Sequence, residues 1–389
     1  MATLKLRMLK AKHGDCFFIF SDQKTLLIDG GPSGVYRDFL RPHLQSLGEH
    51  SFDPPEIDLM MVSHIDADHI DGILDLTAEL IESREESSAP IARIQEAWHN
   101  SFADVIANQT TINSTNVRAE AASARDVFLQ YATRFQSDGT NLVLSSVSQG
   151  RQLRLDLNAL NIDLNRGFKD RIISQHARTE SGARPWRSGD LEVHVIGPTQ
   201  KEIEGLRKVW KKALEKMRSN EENTALAAAR KLDKSVSNLA SIVCVVTSGD
   251  KSILLTGDAR GDNILQWLRE VNWPRTNGVF RFDAIKLPHH GSDRNVDEVF
   301  FQQVIADHYL ISGNGGHGNP EPHTFDLLFN ARPDLDYQIY LSYGPDELKT
   351  NNTFIREGNS EALDRVLSAD RRQVLHWPDP NQDFLDISL

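Results

Sequence analysis

The chain has 389 residues, 39% of them apolar, which is enough for a substantial core in one large domain or two ordinary ones. Its 43 basic residues against 55 acidic ones give a net charge of −12, which argues against a non-specific nucleic-acid coat but leaves a local basic groove open. No apolar run approaches the roughly 18 to 20 residues of a membrane helix, and the start MATLKLRMLKAKHGD has no apolar signal-peptide core. The expectation is a cytoplasmic protein without membrane contact, whose two cysteines, Cys16 and Cys244, sit in apolar runs as small core residues.

The N-terminal segment alternates like a sheet: LKLRMLKA, a break at HGD, then CFFIF, a polar SDQK turn and LLIDGG, ending at Asp29. Val35, Phe39, Leu44 and Leu47 have helical spacing, with Pro42 as a point of kink or break. IDLMMVSH is too short for a helix and reads as a buried strand delivering His64 at its carboxyl end, followed by a helix start at HIDGILDLTAEL. Residues 82–190 combine a polar loop, a strand in ARIQEAWHN, a helical stretch around 116–136 and a charged region; they read as an insertion or lid that could recruit a protein partner. LEVHVIGP is then a strand and KEIEGLRKVWKKALEKMR an amphipathic helix, its Lys/Arg face either solvated or a nucleic-acid or partner surface. ASIVCVVTSGDKSILLTGD predicts a hairpin, FDAIKLPHHGS a strand ending in two histidines, and HYLISGNGG a strand ending in glycines. The division expected is a hydrolase-like domain over 1–350, with a C-terminal extension over 351–389 packed on it.

The chemistry concentrates where apolar strands break. In HIDADH, His64 and Asp66 lie two apart and point the same way from an extended segment, while Asp68 and His69 project from the first turn of the helix that follows. One short peptide can thus offer ligands to two adjacent metal ions. Reading Asp68 as a helix N-cap and His64 as a strand-end histidine explains two residues but not four. Other strands end in the same way: LLTGD presents Asp258, KLPHHGS presents His289 and His290, and LLIDGG presents Asp29. Several strand ends carrying ligand-type residues predict one shared cleft.

These residues resemble the metallo-β-lactamase superfamily, and within it the hydrolase domain of ComEC-type competence proteins. The matching segments are HGDCFFI, LLIDGG, SHIDADHIDG, NLASIVCVV, LLTGDA, KLPHHGS and, more loosely, GNGGHGNPEPHTFDLL. The resemblance implies an α/β fold, an αββα four-layer sandwich with metals at one edge, and hydrolysis by hydroxide generated at the metal. It implies His64 and Asp66 as ligands of one metal, Asp68 and His69 of the other, Asp258 as a bridge, and one of His289 and His290 completing the site, with His289 preferred as the first off its strand. Asp29, Asp15 and His13 would support the site from behind or line the cleft. Catalytic roles fall to Asp68 and Asp258, which would orient water, and to His323 or, as a second choice, His317, which would contact phosphate or protonate a leaving group. Asn314 and Ser292 are further candidates for substrate contact.

Two departures from the superfamily pattern matter. Asp66 stands where a histidine is commonest, making the site richer in oxygen and shifting preference from Zn²⁺ toward Mn²⁺ or Mg²⁺. The further histidine expected before LLTGD has only His99, His176 and His194 as local candidates. Two divalent ions, Zn or Mn, would outweigh the three carboxylates Asp66, Asp68 and Asp258 and attract an anionic phosphodiester. The sequence therefore supports a phosphodiesterase or nuclease acting on nucleic acid. A hydrolase of small esters, lactones or cyclic nucleotides, and an inactive metal-binding interaction module, stand as alternatives.

Overall fold

Strand alternation builds two facing sheets. In the computed structural model the described residues are 4–22, 24–49, 53–101, 105, 141–168, 172–175, 185–208, 238–350, 359–368, 371–379 and 381–389. The first half supplies β1 (Leu4–Leu9), β2 (Phe17–Ser21), β3 (Lys24–Ile28), β4 (Glu56–Ile57), β5 (Leu59–Met61), β6 (Arg93–Ile94), β7 (Glu96–Trp98) and β8 (Asp163–Leu164). The second supplies β9 (Trp186–Ser188), β10 (Leu191–Gly197), β11 (Val243–Ser248), β12 (Lys251–Leu255), β13 (Phe280–Lys286), β14 (Val304–Ile311), β15 (Gln338–Leu341), β16 (Leu375–His376) and β17 (Phe384–Ser388). One sheet runs β17-β1-β2-β3-β5-β7-β8 and the other β16-β15-β14-β13-β12-β11-β10-β9, with β4 and β6 forming a separate pair.

Period-two side-chain alternation sorts each strand between two layers. Leu4, Leu6 and Met8 of β1, Phe17 and Ile19 of β2, and Leu26 and Ile28 of β3 face the other sheet, where they meet Cys244, Val246, Ile253 and Leu255. Phe18 and Leu27 point outward, against Ile70, Ile73, Leu76 and Leu80 of helix α2 (Ala67–Glu85) and Leu153 and Leu157 of helix α3 (Asn141–Leu160). On the far side Val243, Val245 and Leu254 face outward. They are covered by Trp267 and Leu268 of α4 (Gly261–Glu270), Phe300 and Phe301 of α5 (Glu298–Gln303), and Phe325 and Leu328 of α6 (Pro322–Ala331). These three apolar seams define the expected αββα order of layers. Cys16 and Cys244 are buried and free, and they belong to different seams.

The segments expected as an insertion and as a C-terminal extension both carry strands of the two sheets. Residues 82–190 contribute β7 and β8 to one sheet and β9 to the other, so part of that segment belongs to the sandwich itself. The tail, expected as an extension laid on the domain, supplies an edge strand to each sheet: β16 pairs with β15, and β17 runs antiparallel to β1. The helical stretch around 116–136 lies outside the described residues, as does the helix starting near 200 beyond residue 208. Among the described residues no helix is long and apolar enough to cross a membrane. Pro42 falls in the first turn of α1 (Arg41–Gly48), where its missing N–H costs nothing, and a π-helical turn over Tyr36–Leu40 leads into it.

The topology places the polar strand ends together. β3, β5 and β7 are parallel, as are β12, β13 and β14, and their carboxyl ends meet at one edge of the sandwich. Close approach there demands glycine. A Cβ on Gly72 would stand 1.9 Å from the carbonyl oxygen of Gly30, and one on Gly14 would stand 1.9 Å from that of Asp68.

Candidate metal centre

Ser63, directly after the β5 strand, is the hub of one half of the site. Its N–H donates to Asp29 Oδ1 at 2.7 Å, its hydroxyl donates to Asp29 Oδ2 at 2.8 Å, and the same hydroxyl lies 3.1 Å from His64 Nδ1. Asp29, in the left-handed region with φ of 57°, also takes the Nδ1–H of His69 at 2.8 Å. A carboxylate only accepts, so a proton of His69 sits on Nδ1, and Nε2 is the atom where a cation would take the place of a second proton. Asp66 occupies the N-cap position of α2 but makes no capping bond, which leaves helix capping unable to explain this acidic run.

The opposite sheet supplies the other half. Asp258 follows β12, its N–H donating to Ser241 Oγ at 3.2 Å and its carbonyl accepting from Asn295 Nδ2 at 3.0 Å. His289 and His290 follow β13 in a turn whose φ values are 48° and 54°, continued by Gly291 at 81°. Two successive non-glycine residues in that region are strained by roughly 1 kcal/mol or more each. The strain turns both rings toward Asp258: His289 Nε2 lies 3.6 Å from Oδ2 and His290 Nε2 lies 3.8 Å from Oδ1. Asn319 holds the turn by donating to the His289 carbonyl at 3.1 Å, and Asn295 Oδ1 lies 3.1 Å from His289 Nδ1.

His290 repeats the pattern seen at His69. Its Nδ1 lies 3.2 Å from Asp15 Oδ1, and the other oxygen of Asp15 is 2.5 Å from the ammonium of Lys286. That lysine is 2% exposed; it donates to the Gly257 carbonyl at 2.9 Å and stands 3.6 Å from Asp258 Oδ1. Burial would raise the pKa of Asp15, yet Lys286 and His290 overcome it and hold the carboxyl at about 2. Burial would likewise lower His290, but Asp15 and Asp258 lift it to about 9. His69 is also raised against burial, by Asp258 and Asp29, while Asp68 and Asp258 are held low against burial by the surrounding histidines. The cluster thus holds positive charge strongly, as protons or as cations.

Its donor atoms fit metal ions. Among the described residues, buried Nε2 atoms of His64, His69 and His290 and Oδ1 of Asp258 have no hydrogen-bond partner. Four ligands at ~2.1 Å from a tetrahedral ion stand roughly 3.4 Å apart. His290 Nε2 is 3.4 Å from Asp68 Oδ2, His69 Nε2 is 3.5 Å from Asp258 Oδ1, and His69 Nε2 is 3.9 Å from Asp68 Oδ1. Asp68, His69, Asp258 and His290 thereby form one group able to hold a cation. His64 joins Asp66 and Asp68 in a second group able to hold a cation; its Nε2 is 3.6 Å from Asp66 Oδ2 and 3.7 Å from Asp258 Oδ2, and His289 Nε2 lies 3.6 Å from the same Asp258 oxygen. The left-handed turn brings both rings to Asp258, with His290 in the group of Asp68, His69 and Asp258 and His289 3.6 Å from the other Asp258 oxygen.

The remaining candidates divide. His13 and His317 meet edge-on, with ring centroids 4.7 Å apart. Asn314 closes its own loop by accepting from the N–H of Gly316 at 2.9 Å, and Ser292 donates to Glu321 at 3.0 Å. His323 is exposed on the first turn of α6, and no hydrogen bond, ion pair or ring contact among the described residues ties it to the cluster. His99, at the end of β7, is fully buried with neither ring nitrogen hydrogen-bonded among the described residues, and burial pushes its pKa down to about 3. His194 lies 3.2 Å from Glu192 and packs on Trp273, away from the cluster, and His176 is outside the described residues. Sequence reasoning missed Ser63, Lys286 and Asn295. Only Lys286 left a trace, as a lysine closing the otherwise apolar end of FDAIK.

Residues 9–110, the segment that carries Asp15, Asp29 and the HIDADH motif, match the family model of the metallo-beta-lactamase superfamily. Over 83 residues, 21% of its length, the chain is 37% identical to Recombination protein 2 of Haemophilus influenzae, and the match spans 9% of that relative's length. Among solved structures, the metallo-beta-lactamase fold protein YhfI of Bacillus subtilis aligns over 99% of both chains at 9% identity with a TM-score of 0.37. A variant of CmlA beta-hydroxylase aligns over 100% of this chain and 54% of its own at 12% identity, with a TM-score of 0.36. The fold is hydrolase-like, and its cluster is a candidate site for divalent metal.

Proposed function

We propose that this metallo-β-lactamase superfamily protein is a divalent-metal-dependent phosphodiesterase whose substrate class is nucleic acid. The observation that carries the reading is a buried cluster in which, among the described residues, Nε2 of His64, His69 and His290 and Oδ1 of Asp258 have no hydrogen-bond partner, with Asp68, His69, Asp258 and His290 spaced like ligands of one cation and His64, Asp66 and Asp68 like ligands of another. In this reading Asp68, His69 and His290 hold one ion, His64, Asp66 and His289 hold the other, and Asp258 is shared. When bound, such ions lower the pKa of water toward ~7 and offset the charge of a phosphodiester.

The protein's own groups prepare that site. Asp29 and Asp15 fix the Nδ1 protons of His69 and His290 and so keep each Nε2 available. Lys286 neutralises Asp15 and steadies Asp258 from behind, so two divalent ions balance the four remaining carboxylates, Asp29, Asp66, Asp68 and Asp258, and the loaded centre does not repel an anionic substrate. Asp66, in place of the commoner histidine, supports Mn²⁺ over Zn²⁺ as the working metal. The name of the Haemophilus relative, a recombination protein, supports nucleic acid as the substrate class. The test is incubation of purified protein with Mn²⁺ and single- or double-stranded DNA. Cleavage that Asp68→Ala reduces at least ~100-fold supports the reading; no cleavage by the wild type, or cleavage unchanged in Asp68→Ala, refutes it.

A further inference from the structure

We infer that His317, steadied by His13, is a catalytic residue that meets the departing oxygen of the phosphodiester. This inference rests on the phosphodiesterase reading. The two histidines come from opposite halves of the sandwich, His13 from the loop between β1 and β2 and His317 from the loop after β14, and their rings cross at 81°. The His13 loop is pinned directly over the cluster. The Gly14 carbonyl accepts from Ser312 Oγ at 2.5 Å, the Asp15 N–H donates to the Asp68 carbonyl at 3.2 Å, and the Lys12 N–H donates to the Tyr343 hydroxyl at 2.7 Å. His13 accordingly lies within electrostatic reach of Asp68, His69 and His290.

The His317 loop is shaped to present a ring. Gly315, His317 and Gly318 all have positive φ, and the loop closes through the Gly315 N–H to the Asn319 carbonyl at 3.0 Å. Among the described residues the His317 ring makes no hydrogen bond or ion pair; it is exposed, and its only ring contact is His13. An exposed imidazole braced beside a metal cluster can both reach a bound substrate and recover protons from solvent. In hydrolysis a water oxygen forms the new bond to phosphorus while the bond from phosphorus to the leaving oxygen breaks. The leaving alkoxide takes a proton from the His317 ring, and the proton given up by the attacking water passes to bulk solvent, from which the ring is reprotonated. His323, exposed on α6, has no such brace.

A leaving-group role is separable from a structural one by the leaving group itself. An alkoxide needs a proton to depart, whereas p-nitrophenolate does not. His317→Asn is the variant of choice, because asparagine tolerates positive φ. Loaded with Mn²⁺, it should lose ~100-fold or more in kcat on a DNA oligonucleotide and stay within about threefold of wild type on bis(p-nitrophenyl) phosphate. His13→Gln should show the same selectivity with a smaller loss. Equal losses on both substrates, or full retention on DNA, would overturn the assignment while leaving the phosphodiesterase reading intact. A wild type inactive on both substrates would overturn both.

Discussion

Replacing Asp29 with asparagine exchanges one oxygen for NH₂ and should weaken binding of a metal that Asp29 itself would not touch. The Asp29 carboxylate accepts from the Ser63 N–H, the Ser63 hydroxyl and His69 Nδ1, at 2.7, 2.8 and 2.8 Å. An asparagine has one acceptor end and one donor end, so it satisfies one side only. If the amide NH₂ faces His69, it drives the ring proton to Nε2, and the lone pair that would bind metal is lost. If it faces the Ser63 N–H instead, two donors confront each other in a site 1% exposed. Either orientation sacrifices a charge-assisted hydrogen bond, worth about 1.5–3 kcal/mol, and loss of such a supporting carboxylate typically costs 10–100-fold in metal affinity. Competition titration of Mn²⁺ and Zn²⁺ against a chelating dye, with denaturant unfolding of the metal-free protein alongside, measures both. Wild-type metal affinity in a folded Asp29→Asn variant would refute the tautomer argument.

Lys286→Met should destabilise the protein by about 3–5 kcal/mol, since it strands the buried Asp15 without its counter-charge. The double variant with Asp15→Asn should recover part of that loss in urea unfolding, and a fully additive pair would contradict the coupling. Away from the cluster, His43 is buried against Phe18, and burial together with Arg7 lowers its pKa from 6.5 to about 4. The unfolded chain therefore takes up a proton between pH 6.5 and about 4 that the folded chain refuses, so stability falls on acidification through that window, by on the order of 3 kcal/mol. His43→Phe should flatten that part of the pH–stability curve, and an unchanged slope would exclude His43 as its source. Gly72→Ala would place a Cβ 1.9 Å from the Gly30 carbonyl and push α2 off the Asp29 loop. It should cost several kcal/mol and weaken metal binding, whereas a neutral outcome in thermal unfolding would mean the contact yields easily.

Most of the residues legible in the sequence follow the carboxyl end of an apolar strand whose period is unmistakable, and Asp68 and His69 follow one such strand end into the first turn of α2. Asp29, His64, Asp258 and the His289–His290 pair follow runs such as LLI, LMMV, ILL and AIK, so the convergence of strand ends could be anticipated. Which histidine approaches which acid could not, because two consecutive left-handed histidines reverse the order a simple strand exit suggests. Lys286 was hidden because a lysine at a strand end ordinarily reaches solvent, and this one is held inside by Asp15, 271 positions earlier in the chain and on the other sheet. The choice between His317 and His323 depended on loop geometry that NGGHGNPEPH does not encode in any periodic pattern. The tail strands escaped notice for a related reason: β16 is two residues long, and β17 mixes Asp386 and Ser388 with Phe384 and Ile387. The register of β17 comes from β1, where Arg7 and Lys5 pair with Asp386, and that of β16 from β15.

The central claim is that one carboxylate, Asp258, is shared by two divalent ions. Native mass spectrometry of metal-free protein titrated with Mn²⁺ tests it most directly, comparing wild type with Asp258→Asn. The account predicts two ions per wild-type chain and weakened binding of both in the variant. A wild type that binds none, or a variant that keeps two ions at unchanged affinity, would contradict it.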